Sequence, residues 1–88
     1  MPTIRISLPA TLTSPEAPAT VECEGGTVAE ALRTLADRSP RYGQRIFYDD
    51  RLLVSVVLNG SHLSPLIAKD TELHDGDLLE LVTPVAGG

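Results

Sequence analysis

The sequence predicts an α+β domain: a mixed sheet of four to five strands with one main helix packed on one face. Three observations carry this. Short apolar/polar alternations recur along the chain, as half-buried strands require. One segment, "GGTVAEALRTLADRSP", carries a helix start signal, an apolar stripe and a stop signal. The chain has 88 residues, which bounds it to a single modest core.

Taken in order, "TIRISL" places Ile4, Ile6 and Leu8 on one side and Arg5 and Ser7 on the other. Period two with β-branched residues is a strand, and Pro9 ends it. "TSPEAP" is a loop punctuated by Pro15 and Pro18. "ATVEC" resumes the alternation, with Ala19, Val21 and Cys23 together, and the two runs form a hairpin. Gly25-Gly26 break the strand. Thr27 and Glu30 then form a capping box. Val28, Ala31, Leu32 and Leu35 make a stripe spaced i, i+3, i+4, i+7. Arg38 suits the negative end of the helix dipole, and Pro40 is expected to close the helix.

The segment "RYGQRIFYDDRLL" has room for a helical turn and an extended piece, and no single element is assigned to residues 41–52. "LVSVVLNG" is a strand ending in an Asn-Gly tight turn. A short strand is expected near His62–Leu63. Asp75-Gly76-Asp77 is a turn, and "DLLELVTP" is the last strand, closed by Pro84.

Composition excludes several functions. The formal charge is −5, which opposes nucleic-acid binding through counterion release. The aromatics are Tyr42, Phe47 and Tyr48, too few for a stacking platform. Five of the seven Lys and Arg residues lie between Arg33 and Arg51, whereas from Asp70 onward there are five acids and no Lys or Arg. The negative end points to a partner with a basic docking surface, against the plainer reading of a solvated acidic face. The lone Cys23 has no disulfide partner and no metal-ligand spacing around it, so a small buried hydrophobe is expected. His62 and His74 are expected at the surface, and Asp49-Asp50 solvated in a loop. No apolar run reaches membrane-spanning length and no signal-peptide core is present, so no membrane association and a cytoplasmic location are expected.

The strand order, the "LNG" strand end, the "DGD" turn, the final apolar strand and the closing Gly-Gly together resemble the ubiquitin-like sulfur carriers of the MoaD/ThiS type. The resemblance runs from Thr3 to Gly88, and "LHDGDLLELVTPVAGG" is its most specific part. "ISLPATL" and "PVAGG" look most like CysO-like members, with MoaD-like tails close. The longer segment around Tyr42–Leu52 departs from ThiS-type chains and argues for those two branches. The resemblance implies a β-grasp domain over residues 1–83 and a flexible tail over residues 84–88.

It also implies a function. A partner enzyme, homologous to ubiquitin-activating enzymes, uses ATP to adenylate Gly88. Sulfur displaces AMP to leave a thiocarboxylate, and a downstream enzyme accepts the sulfur for cysteine, molybdopterin or a related metabolite. Acceptors of this kind are cysteine synthase-type enzymes or the large subunit of molybdopterin synthase. The protein is then a carrier and co-substrate, not an enzyme, with no bound cofactor or metal. The alternatives are a ubiquitin-like modifier joined through Gly88 to lysines, the small subunit of molybdopterin synthase, or a pure interaction module.

The tail residues suit this chemistry by themselves. Gly88 has no side chain to obstruct attack at its carbonyl, and Gly87 admits close partner walls. Val85 to Gly88, extended, span on the order of 13–14 Å, enough to thread a channel. Pro84 biases Thr83 toward extended conformations. Pro84, Val85, Ala86 and Gly87 are therefore expected to thread the partner site. A docking surface beside the tail must offset the ordering entropy, roughly 1–2 kcal/mol per fixed residue. With Leu79 and Leu81 facing the helix, that surface is Val57, Leu78, Glu80 and Val82.

Overall fold

The computed structural model describes residues 1–13, 19–48, 51–64 and 66–83. The loop expected around Pro15 and Pro18, the Asp49-Asp50 pair, the closure at Pro84 and the whole tail fall outside them.

Strand β1 (Thr3–Leu8) pairs antiparallel with β2 (Ala19–Glu24), from Thr3↔Glu24 to Leu8↔Ala19. A helical turn, α1 (Ala10–Thr13), follows Pro9. The main helix α2 (Val28–Arg38) begins where the sequence places it. The Thr27 hydroxyl oxygen accepts the Glu30 N–H at 3.2 Å, and the hydroxyl itself donates to Glu30 Oε1 at 3.4 Å. Val28, Ala31, Leu32 and Leu35 are all buried. Each such leucine contributes about 1.5–3 kcal/mol of burial free energy.

Pro40 does more than end α2. Ser39 caps α2 through its N–H to the Leu35 carbonyl, and Pro40 opens a second helix, α3 (Pro40–Ile46). Proline lacks an N–H, and the first helical position needs none. The unassigned segment thus holds α3 and then a small hairpin. Strands β3 (Phe47–Tyr48) and β4 (Arg51–Leu52) pair Phe47 with Leu52 and Tyr48 with Arg51.

Strand β5 (Ser55–Leu58) ends in the expected turn, where Asn59 (φ 48°) and Gly60 (φ 87°) both occupy the left-handed region. That is what a two-residue hairpin turn demands. Strand β6 is Ser61–His62, and Leu63 extends the contact by donating its N–H to the Val56 carbonyl at 3.0 Å. A 3-10 turn (Ala68–Asp70) and the Asp75-Gly76 turn lead into β7 (Leu78–Val82).

The sheet order is β2-β1-β7-β5-β6. β7 runs parallel to β1 and antiparallel to β5, which makes the sheet mixed. One face carries Ile4, Ile6, Leu8, Val56, Leu79 and Leu81 into a single core with the α2 stripe. This is the ubiquitin-like β-grasp architecture, and it brings the last strand to the middle of the sheet.

Arginines of the 33–51 stretch tie neighbouring elements together. Arg33 lies over the Phe47 ring, 5.2 Å from its centre. Arg38 donates to the Glu22 carbonyl at 2.8 Å, tying α2 to the outer strand β2.

Candidate functional site: the outer sheet face and the root of the tail

The tail residues Pro84, Val85, Ala86, Gly87 and Gly88 lie outside the described residues. The structure does describe the surface from which they depart. β7 alternates as a central strand must: Leu79 and Leu81 are buried in the core, Leu78 and Glu80 are half-buried on the opposite face, and Val82 is 42 % exposed.

Register places the neighbours. Glu80 stands between Ser7 on one side and Val57 on the other, and Thr20 and His62 complete the row. Leu78 lies beside Arg5, which lies beside Glu22. Val82 is opposite Ser55. Val57, Leu78, Glu80 and Val82 therefore share one face, away from α2.

That face is less apolar than the four residues alone suggest. Val57 is only 8 % exposed, so it offers little open area. Arg5, Glu22, Glu80 and His62 intersperse both signs of charge around the apolar side chains. Their outward direction follows from the alternation of each strand. Which strands lie beside β7 depends on the crossover connections, and that placed Arg5 and His62 beside the four.

The root of the tail is Thr83, immediately past the Ser55↔Val82 pair. Its hydroxyl oxygen lies 2.8 Å from that of Thr11 on α1.

Of the titratable groups singled out by the sequence, Cys23 lies apart from this face, in the core cluster. Cys23 is buried, with Arg38 Nη1 3.5 Å from its sulfur. Burial pushes its thiol pKa up, against a smaller lowering from the Arg38 charge and hydrogen bond. His62 and His74 are exposed. Among the described residues, no group of three or more His, Cys, Asp or Glu is placed to hold a metal ion, and no helix is long and apolar enough to cross a membrane.

The ThiS family model matches residues 9–88, through both terminal glycines. The chain belongs to the ThiS family. A search for relatives among curated proteins gave no match. Solved structures agree on the fold. Small archaeal modifier protein 1 from Methanosarcina acetivorans is 23% identical, with a TM-score of 0.82 over 100% of this chain and 98% of that one. The same protein from Haloferax volcanii is 28% identical, with a TM-score of 0.71, covering 98% and 99%. A chain of the Amycolatopsis orientalis BexX/CysO complex is 26% identical, with a TM-score of 0.73, covering 97% and 99%.

The ThiS family is one of ubiquitin-fold sulfur carriers and modifiers, small proteins generally non-catalytic themselves. In a ThiS-family chain the outer face and Thr83 gain a specific meaning. Thr83 is the last described residue before the segment that carries Gly88, and the outer face lies on the strand that leads to it.

Proposed function

We propose that this protein is a sulfur carrier whose Gly88 carboxylate is activated and converted to a thiocarboxylate. The carrying observation is the family match, which runs through Gly87 and Gly88. A carboxylate is a poor acyl donor. Reaction with ATP in a partner enzyme forms the Gly88 acyl-adenylate and releases pyrophosphate. Hydrosulfide released from a sulfur donor adds to the Gly88 carbonyl and expels AMP, leaving the thiocarboxylate. The terminal sulfur is then a nucleophile on a protein handle, for delivery into a second enzyme.

The chain's own contribution is presentation. The sheet face bearing Leu78, Glu80 and Val82, with Val57 beneath, docks the partner body, while residues 84–88 enter the partner site. The neighbour in the BexX/CysO complex supports a carrier that works through protein partners. A cysteine synthase-type enzyme or the molybdopterin synthase large subunit is the class of acceptor, and the compartment is the cytoplasm.

The test is intact mass after incubation with ATP, a sulfur source and an adenylating enzyme of this family. The expected result is one oxygen-to-sulfur exchange, localised to Gly88. Extension by one alanine after Gly88 abolishes the exchange without altering the fold. An unchanged mass, with an enzyme that loads another family member in parallel, refutes the proposal.

A second reading has its own support: two of the neighbours are small archaeal modifier proteins. In that reading the Gly88 adenylate is transferred to lysine amines of other proteins. A ladder of conjugates that requires Gly88 favours it. Thiocarboxylate without conjugates favours the carrier.

A further inference from the structure

Four residues cannot sustain a helix unaided, so α1 is held by what surrounds it. The Leu12 and Thr13 N–H groups both donate to the Pro9 carbonyl, at 2.9 and 3.2 Å. Leu12 and Thr13 are buried. From the other side, α3 supplies two arginines. Arg45 Nη1 donates to the Leu12 carbonyl at 2.8 Å and the Thr11 carbonyl at 3.3 Å. Arg41 Nη2 donates to the Thr13 carbonyl at 2.9 Å. The final carbonyls of a helix have no partner within it, and a cation suits that end.

Ala10 and Thr11 are the exposed residues of this pinned turn, and the Thr11 hydroxyl contacts Thr83. Thr83 stands one residue beyond the Ser55↔Val82 pair, the last pair of the β5–β7 ladder. Helix α3, the α1 turn and the end of β7 thus form one mechanical sequence: α3 arginines, α1 carbonyls, Thr11, Thr83.

We infer that Thr11 is a positioning residue for the C-terminal tail. It holds Thr83, to which Pro84 is covalently joined, and so sets where and in what direction the tail starts toward the partner enzyme. The inference rests on the carrier reading of Gly88. Its physical basis is preorganisation. Each residue ordered only on binding subtracts from affinity. A root held in the free protein removes part of that loss. Thr11 supplies no group to the adenylation chemistry, so its effect falls on KM for the carrier and leaves kcat unchanged.

The test compares full-length Thr11→Val, Thr11→Ser, Thr83→Val and the Thr11→Val/Thr83→Val double variant as substrates of the adenylating enzyme. Valine keeps the shape and removes the hydroxyl. Loss of one modest hydrogen bond predicts a KM about 2- to 10-fold higher for Thr11→Val, with kcat unchanged and Tm lowered by no more than the loss of that one bond accounts for. Serine retains the wild-type KM, and the double variant is no worse than either single one. In the free protein, 15N relaxation of the Thr83 amide shows lower order in Thr11→Val. An unchanged KM, a KM that serine fails to preserve, additive losses, or unchanged Thr83 order overturns the inference. If wild-type protein is not loaded at all, the carrier reading is what fails. The relaxation measurement, which needs no enzyme, still decides whether Thr11 holds Thr83.

Discussion

Asn59 and Asp77 clasp two turns of the sheet against each other. The Asn59 amide nitrogen donates to Asp77 Oδ1 at 3.0 Å, while its carbonyl oxygen accepts the Leu78 N–H at 2.9 Å. The other carboxylate oxygen of Asp77 accepts the His74 N–H at 2.8 Å. Asp77 also anchors β1, through the Arg5 N–H to its backbone carbonyl at 2.9 Å. The "LNG" and "DGD" stretches, 18 positions apart at Asn59 and Asp77, are therefore one structural device. It fixes the start of the strand that ends at the tail.

This clasp makes stability depend on acid. The hydrogen bond from Asn59, then that from the His74 backbone, holds the Asp77 carboxyl below its ordinary value. The folded protein therefore binds that proton more weakly than the unfolded chain. The contribution is complete above the unfolded carboxylate value of about 3.9 and is lost as pH falls through the lower folded value. Thermal melts of wild type and Asp77→Asn should differ most near neutral pH. The gap should narrow below about pH 4. A constant gap across the range would remove the charge from this account.

Gly43 is the close-approach point of the second helix. A Cβ there would lie 2.9 Å from the Ala36 Cβ and 3.3 Å from its Cα, on α2. Alanine improves helix propensity by about 1 kcal/mol, but forcing the helices apart costs typically ~1–3 kcal/mol. Gly43→Ala is expected to destabilise in urea titration. Adding Ala36→Gly should recover part of the loss. A stabilised single variant would show that α3 shifts freely.

Cys23 reports on opening. Its thiol is buried at the α2–β2 seam and its pKa is raised by that burial. The nucleophile is the thiolate, so both effects slow alkylation of the native protein. Labelling with a maleimide should be slow in buffer and accelerate with denaturant in step with unfolding. Fast labelling of the native state would contradict the packing of Cys23.

The proposed docking face is tested by charge. Val82→Asp and Glu80→Lys alter the outer face of β7, the strand that leads to the tail. Each is expected to weaken association with the adenylating enzyme by about 10-fold, the scale of one interface residue costing over 1 kcal/mol. Asp37→Lys, on the exposed side of α2, should leave affinity unchanged. The measurement is a titration of binding, with Tm followed in parallel. If only Asp37→Lys weakens binding, the partner docks on the helix side.

Much of this was legible because it is local. The capping box at Thr27 and the stripe through Leu35 lie within one helix. The Asn59-Gly60 turn is written in two adjacent residues. The second helix was harder to read. Pro40 stops one helix and starts another with the same chemistry, and Ser39 turns the chain between them. The outer face was readable strand by strand but not as a surface. Only the sheet order places His62 and Arg5 around Glu80 and Leu78, and encloses Val57.

The sequence by itself determined the α+β class, the strand and helix faces, and the Gly-Gly end whose chemistry the proposal uses. Each depends on side-chain period or on bonds among near neighbours. The tertiary structure decided the central place of β7, the stitching by Arg38, Arg41 and Arg45, and the meeting of Thr11 with Thr83 across 72 positions. Contacts at such separation arise from how the layers pack. A hydroxyl or guanidinium carries no local sign of which distant partner it will find.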